Sequence, residues 1–387
     1  MIRRGIFSVA GIAVAISVLA ACSSASAPQL QPQTLPATQQ GTAQSANAQS
    51  ETAQSVGAAS ASVLATLNTE TTIGSDVDPV TGDVNPYGLA VAPVTAGKLT
   101  AGDLVVCDFN DKSNVQGTGN AIVALHPVAG STPTHITNAK DLLGCNAIAM
   151  APNDIIWPAD FGANNAPLVG PHGAILTTLS QFPWKHPFGE AFVPPINAQS
   201  WPAFYISNAG DGTLVRVTIF PTHFAFTTIA TGFPVNHGAP GSILAPSGLN
   251  YRSNGDVLFV VDGTNNALYA ISNISSVGAE GIRVHGLSFT GPNASDARVV
   301  YSGAPLNGPI SSAILPGGNI AVGNTLDPTG KNLIVEISPS GGLVSVKNVD
   351  TGAAGAIFGM VATGTSPANA KLYFNDDNSN TLVVLSH

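Results

Sequence analysis

Six segments of this chain follow one plan, and that repetition constrains the fold more than any other feature. They open as NPYGLAVAP (85–93), GCNAIAMAP (144–152), HPFGEAFVP (186–194), APSGLNYRS (245–253), GPISSAILP (308–316) and AIFGMVATG (356–364). One slot near the start of each holds only small residues: Gly88, Ala147, Gly189, Gly248, Ser311 and Gly359. A slot closed to larger side chains implies close backbone approach at a crowded axis. Each opener leads to a second apolar run, such as DLVVCDFN or VLFVVDGTNN, and then to a third, such as AIVAL or ALYAI. Five units add a fourth, such as FAFTTI or ARVVY. The slots recur after 59, 42, 59, 63 and 48 residues. Four short strands per unit at this period describe blades packed radially, which leaves only short edges. The chain is therefore expected to be all-β: a six-bladed β-propeller with four antiparallel strands per blade.

The ends of the repeat array carry a second constraint. The last unit stops at TLVVLSH, after its third strand, while VLATLNTETTIGS (63–75) alternates like a strand and precedes the first unit. Its pairing with the last blade would close the ring over residues 63–387 and remove an exposed edge. Composition agrees: 44% of the 387 residues are hydrophobic, enough for a large core, and 41 Gly and 28 Pro supply frequent turns.

The P-x-G-L-A openers and the second runs ending in D-x-x-N-N resemble NHL repeats. The resemblance covers residues 85–387 and is clearest in the first, fourth and sixth units. It is poorest in the fifth, where Ile310-Ser311-Ser312 occupies the Gly region and Asn324 stands where Asp is usual. It implies an NHL-type six-bladed propeller. It implies no single activity, because that superfamily includes lactonases, lyases and binding scaffolds.

The N-terminus, MIRRGIFSVAGIAVAISVLAAC, has basic Arg3 and Arg4, then an apolar stretch shorter than a bilayer-spanning helix, then Leu19-Ala20-Ala21-Cys22. The L-A-A-C string resembles the lipobox of bacterial lipoproteins. That resemblance implies removal of the signal peptide 1–21, acylation of Cys22 and membrane anchoring, each buried methylene adding about 0.8 kcal/mol. Ser23 at the next position implies sorting to the outer membrane. The expected location is the bacterial cell envelope, facing the periplasm or cell surface. Residues 22–62, rich in Ala, Ser, Gln, Thr and Pro, lack the apolar content to fold alone and are expected to form a disordered tether. The formal charge of −9, with no basic stripe, argues against nucleic acid as a partner. A monomer is expected, with a small molecule, a glycan or an envelope protein as partner.

Chemistry is less legible. Export would place Cys107 and Cys145 in an oxidising compartment. They fall on one face of adjacent blades, which suits a disulfide. Asp108, Asp160, Asn208, Asp262, Asn324 and Asp376 end the second strands, one per blade. Such regularity points to turn structure, since Asp and Asn bond nearby backbone N–H groups. Glu190 breaks the repeat: its slot holds Leu89, Ile148, Leu249, Ser312 and Met360 elsewhere. A carboxylate on an innermost strand is costly unless paired or hydrated. His186 precedes the third opener, and His237 lies in the loop leading to the fourth. Loops before first strands are expected to ring the channel mouth, so Glu190, His186 and His237 are the candidate catalytic residues, as an acid/base pair or as ligands of a divalent metal. Asn146, Asn250 and Asn307 are candidate ligand-binding residues. Trp157, Trp184 and Trp201 suit core packing better than a sugar-stacking cleft. Two functions stay open: a binding or scaffold module using the channel-mouth face, and a metal-dependent lyase or hydrolase with its site at the channel.

Overall fold

A computed structural model describes residues 61–180 and 183–387. The expected signal peptide 1–21, Cys22 and the tether up to residue 60 lie outside these residues. Six sheets follow one another around an axis, and the fold is a six-bladed β-propeller. The innermost strands are Val84–Val91, Cys145–Met150, Pro187–Val193, Pro246–Arg252, Pro309–Ile314 and Ile357–Thr363. Each is antiparallel to the second strand of its blade.

The small-residue slot has a backbone cause. In all six blades the register between first and second strands shifts beside this slot: between Pro86 and Gly88, for example, and between Pro187 and Glu190. Such bulges bend a strand and sharpen its twist. The bend presses each innermost strand onto the next. A β-carbon on Gly189 would lie 1.9 Å from the Ser247 carbonyl oxygen, and one on Gly359 would lie 2.5 Å from that of Tyr87. No side chain fits there.

The first described strand, Thr69–Ser75, pairs antiparallel with the last, Thr381–Ser386, and supplies the outer strand of blade 6. A buried carboxylate anchors the segment before it. Glu336 of blade 5 accepts hydrogen bonds from Ser62 Oγ, the backbone N–H groups of Val63 and Leu64, and Asn319 Nδ2. Leu64 and Leu67 are fully buried beside it.

Blade 3 departs from the four-strand expectation. The insert of residues 272–296, which in sequence suits either a lid or a large loop, forms a hairpin, Ile282–His285 and Ser288–Thr290. Its first strand runs parallel to the outer strand of blade 3, Phe224–Thr231, giving that sheet six strands. The insert therefore covers an edge at the periphery and leaves the axis free.

Cys107 and Cys145 form a disulfide, as their positions suggest, with Cα atoms 5.7 Å apart across the blade 1–blade 2 junction. The Asp and Asn residues that end the second strands hold local backbone in five blades. Asp160 accepts from Leu143 N–H, Asn208 from Lys185 N–H, Asp262 from Thr264 and Asn265 N–H, Asn324 from Asn307 N–H, and Asp376 from Asn378 N–H. Asp108 is the exception. It is buried beside Asp76, which follows the closing strand, and no group among the described residues satisfies the oxygens of either carboxyl. Burial pushes both above the usual carboxylate range, aided by repulsion from Asp377 and Asp376 at Asp76 and from Asp76 and Asp83 at Asp108.

Candidate functional site

The residue before the small slot is aromatic in three blades: Tyr87, Phe188 and Phe358. These side chains meet at the axis, where Tyr87 stacks on Phe109 at 4.2 Å and on Phe358 at 3.7 Å. Phe161 packs edge-on against Phe109 and Phe188. The aromatic layer is buried beneath Val235, Ile243, Leu244 and Ala245, from the loop that leads into blade 4. That loop reaches across to blade 1, on the opposite side of the ring: a β-carbon on Gly117 would touch Pro240 at 3.5 Å. The end of the channel where the inner strands begin is thus plugged by aromatic rings and roofed by a loop. The mouth expected at this end is closed.

Below the plug lies a cavity of about 370 Å³, lined by residues of all six innermost strands. Tyr87, Phe188, Ile310 and Phe358 form its closed end. At the other end Val91, Met150, Phe192, Tyr251 and Val361, near the ends of the inner strands, are half-exposed. The cavity therefore opens on the face of the hairpins joining first to second strands, opposite the expected face.

Its wall mixes exposed polar groups with aliphatic side chains, Leu89, Ile148, Leu249 and Met360 lying at the level of Glu190. Glu190 is 7% exposed, and neither carboxylate oxygen finds a hydrogen-bond partner of normal geometry. Burial pushes its carboxyl well above the usual range, only partly offset by the Ala149 backbone N–H on the neighbouring strand. Asn146 Nδ2 and Ser311 Oγ are likewise buried without partners. Asn250 is engaged, its Nδ2 donating to Ser312 O at 2.7 Å and to Ser312 Oγ at 2.8 Å. A buried polar atom without a partner costs about 1–3 kcal/mol. Three around one cavity describe a surface prepared for a guest or for ordered water.

The candidates from sequence are thus divided. Glu190, Asn146 and Asn250 share the cavity. His186 does not: its ring stacks on Phe161 at 4.5 Å and its Nδ1 lies 3.0 Å from Phe161 O, on the outer side of the plug. Its φ of 51° and the bond from its N–H to Asn164 Oδ1 give it a role in the turn. His237 is exposed on the roofing loop. Asn307 lies outside the channel, bound to Asp327 Oδ1 at 2.7 Å. Trp157 stacks on Phe204 in the core, Trp184 is buried against Phe226, and Trp201 is exposed at the rim of blade 3. Among the described residues no three His, Cys, Asp or Glu side chains converge to hold a metal. Sequence reasoning passed over Ser311 and the aromatic plug. The signals were present in the fifth unit's departure from the repeat and in the recurrent Tyr-Gly and Phe-Gly pairs.

Comparison with known proteins agrees on architecture. No family model matches the chain, and no curated protein matches its sequence. Solved structures do. A gluconolactonase from Xanthomonas campestris superposes with a TM-score of 0.55 at 12% identity, over 84% of this chain and 92% of that one. The shared feature is the fold. A virginiamycin B lyase from Staphylococcus aureus gives a TM-score of 0.48 at 14% identity, over 82% of this chain and 85% of the other. A chain of the nidogen–laminin complex gives 0.49 at 14%, over 74% and 87%.

Proposed function

We propose that this protein is a lipid-anchored binding protein of the bacterial envelope that takes a small molecule into its axial cavity. The observation that carries the binding role is a cavity closed at one end, walled by aliphatic and aromatic side chains among polar groups, and furnished with three buried polar side chains that carry unpartnered atoms. Ligand sites combine an apolar lining with a few such convergent polar groups. The geometry gives less support to metal-dependent lyase or hydrolase chemistry. His186 and Glu190 are four residues apart on extended chain, roughly 13 Å, with the aromatic plug between them.

Anchoring at Cys22 fits the placement of the first described residues. Ser62 and Val63 are held by Glu336, which also binds Asn319 in the first-to-second-strand hairpin of blade 5. Those hairpins mark the open end of the cavity, so the chain from Cys22 would reach the propeller at its mouth face.

A ligand screen by thermal shift, on wild type and on Leu249→Trp, tests the binding role. The added indole would fill the cavity beside Glu190. Hits that stabilise wild type and lose their effect in the filled variant support it. Hits indifferent to the filling overturn it. Lipidation is tested by mass spectrometry of the processed N-terminus and by release of Cys22→Ala from membranes. An unmodified Cys22 in membrane-extracted protein would refute the anchor.

A further inference from the structure

The chemistry of the cavity wall narrows the guest. We infer that the axial cavity binds a monoamine with an apolar body, its ammonium group paired with Glu190. This rests on the binding role proposed above and names its ligand class.

Among the described residues Glu190 is the only Asp, Glu, Lys, Arg or His side chain lining the cavity. No cation among them pairs with it. The charged and titratable groups on the strands packed against its own are all engaged elsewhere. Tyr205 Oη donates to Ile274 O and Tyr251 Oη to Asp256 Oδ1. Arg252 lies over the Phe259 ring and donates from Nε to Asn254 O, while Asp160 accepts from Leu143 N–H. Cys145 is in the disulfide.

The guest therefore has to supply what the wall lacks. An anion would be desolvated beside a carboxyl that offers it one donor when protonated and repels it when ionised. A neutral guest would leave the carboxyl protonated and gain one hydrogen bond. An ammonium ion gives the carboxylate its missing counter-charge, and a charge-assisted hydrogen bond is roughly twice as strong as a neutral one. Aromatic faces at both ends of the cavity, Phe188 at the plug and Phe192 and Tyr251 at the mouth, favour a cation further. So does the formal charge of −9, which raises the local concentration of cations around the protein. The leucine, isoleucine and methionine walls take the apolar body.

Proton balance follows. In the empty cavity burial favours the protonated form of Glu190, since it holds the carboxyl above the usual range. Binding of R–NH₃⁺ forms the ion pair and releases that proton to solvent. Affinity for the amine therefore rises with pH, by up to about tenfold per pH unit, as long as the free carboxyl keeps its proton.

Calorimetric titration of the full-length protein with 4-phenylbutylamine, 4-phenyl-1-butanol and 4-phenylbutyrate tests the inference, in buffers of different ionisation enthalpy. The amine is expected to bind best, to release close to one proton, and to weaken about 100-fold or more in Glu190→Gln. The alcohol is expected to bind wild type and Glu190→Gln alike, without proton release. The glutamine removes the charge at nearly constant volume and should fold at least as well as glutamate. Equal binding of amine and alcohol, or an amine affinity unchanged in Glu190→Gln, would overturn the amine class. If those probes still lost binding in Leu249→Trp, the cavity would remain the site. Amine binding unaffected by Leu249→Trp would overturn both.

Discussion

Replacing Glu190 by leucine should stabilise this propeller. Four of the six blades place Leu89, Ile148, Leu249 or Met360 at the equivalent position, so the space accepts an aliphatic side chain. Wild type instead buries a carboxyl with both oxygens unsatisfied, a cost of about 1–3 kcal/mol. For a folded unit of about 320 residues the entropy of unfolding is about 0.7 kcal/mol per kelvin, so the gain corresponds to roughly 1.5–4 °C in Tm. The effect should depend on pH in a defined direction. Burial raises the folded-state pKa of Glu190 above its unfolded value. Between the two values the folded chain keeps a proton that the unfolded chain has lost. Wild-type stability from this group is therefore fully present below about pH 4.5 and falls as pH rises toward the folded pKa. Leucine has no such slope. Differential scanning calorimetry at pH 4.5 and pH 8 should find Glu190→Leu stabilised at both and by more at pH 8. A variant less stable than wild type at both would refute the reasoning, since it would mean that the carboxyl gains more from its surroundings than it loses by burial.

Three further outcomes follow from the fold. Replacing Cys107 and Cys145 together by alanine should cost about 4 kcal/mol on the chain-entropy model for their separation of 38 residues, read as a lower urea midpoint; an unchanged midpoint would refute it. A chain beginning at Pro86 loses the closing strand with buried Leu64, Leu67 and Ile73, at about 1.5–3 kcal/mol each. It should be at least about 5 kcal/mol less stable than one beginning at Ala61 and prone to associate through the open edge; equal stability would contradict the closure. Burial raises Asp262 and Asp377 to about 6 and Asp160 to about 8. All three carboxyls titrate higher in the folded state, so their stabilisation is lost as pH rises, and the urea midpoint at pH 5 should exceed that at pH 8.5.

The repeat made the ring legible because each blade meets the same steric demand. Gly88, Gly189, Gly248 and Gly359 have to be small where one inner strand presses on the next, and that requirement shows in sequence without any knowledge of contacts. The disulfide was legible for the same reason, since blade geometry alone sets Cys107 beside Cys145. The polarity of the channel was not. Whether its mouth opens above or below the small-residue slot depends on how Tyr87, Phe188 and Phe358 turn. It depends also on a loop from blade 4 crossing to blade 1. Both are long-range packing events. His186 and His237 were placed beside Glu190 because their loops border the axis, and the plug separates them from it.

Position within the repeat is therefore a better guide to the site than residue type. Asp262 is chemically as suggestive as Glu190, yet its carboxylate is satisfied by Thr264 N–H, Asn265 N–H and Asn265 Nδ2 within its own turn. Glu190 is the one carboxylate that replaces an aliphatic residue of the repeat, and it has neither a local partner nor a counter-charge. Ser311, the largest of the six slot residues, also has a buried hydroxyl without a partner and lines the same cavity. A purely architectural requirement would place an aliphatic residue at the first position and glycine at the second, as four blades do in each case. Glu190 and Ser311 carry buried polar atoms without partners, and both line one cavity, so a guest or ordered water inside it is what would satisfy them.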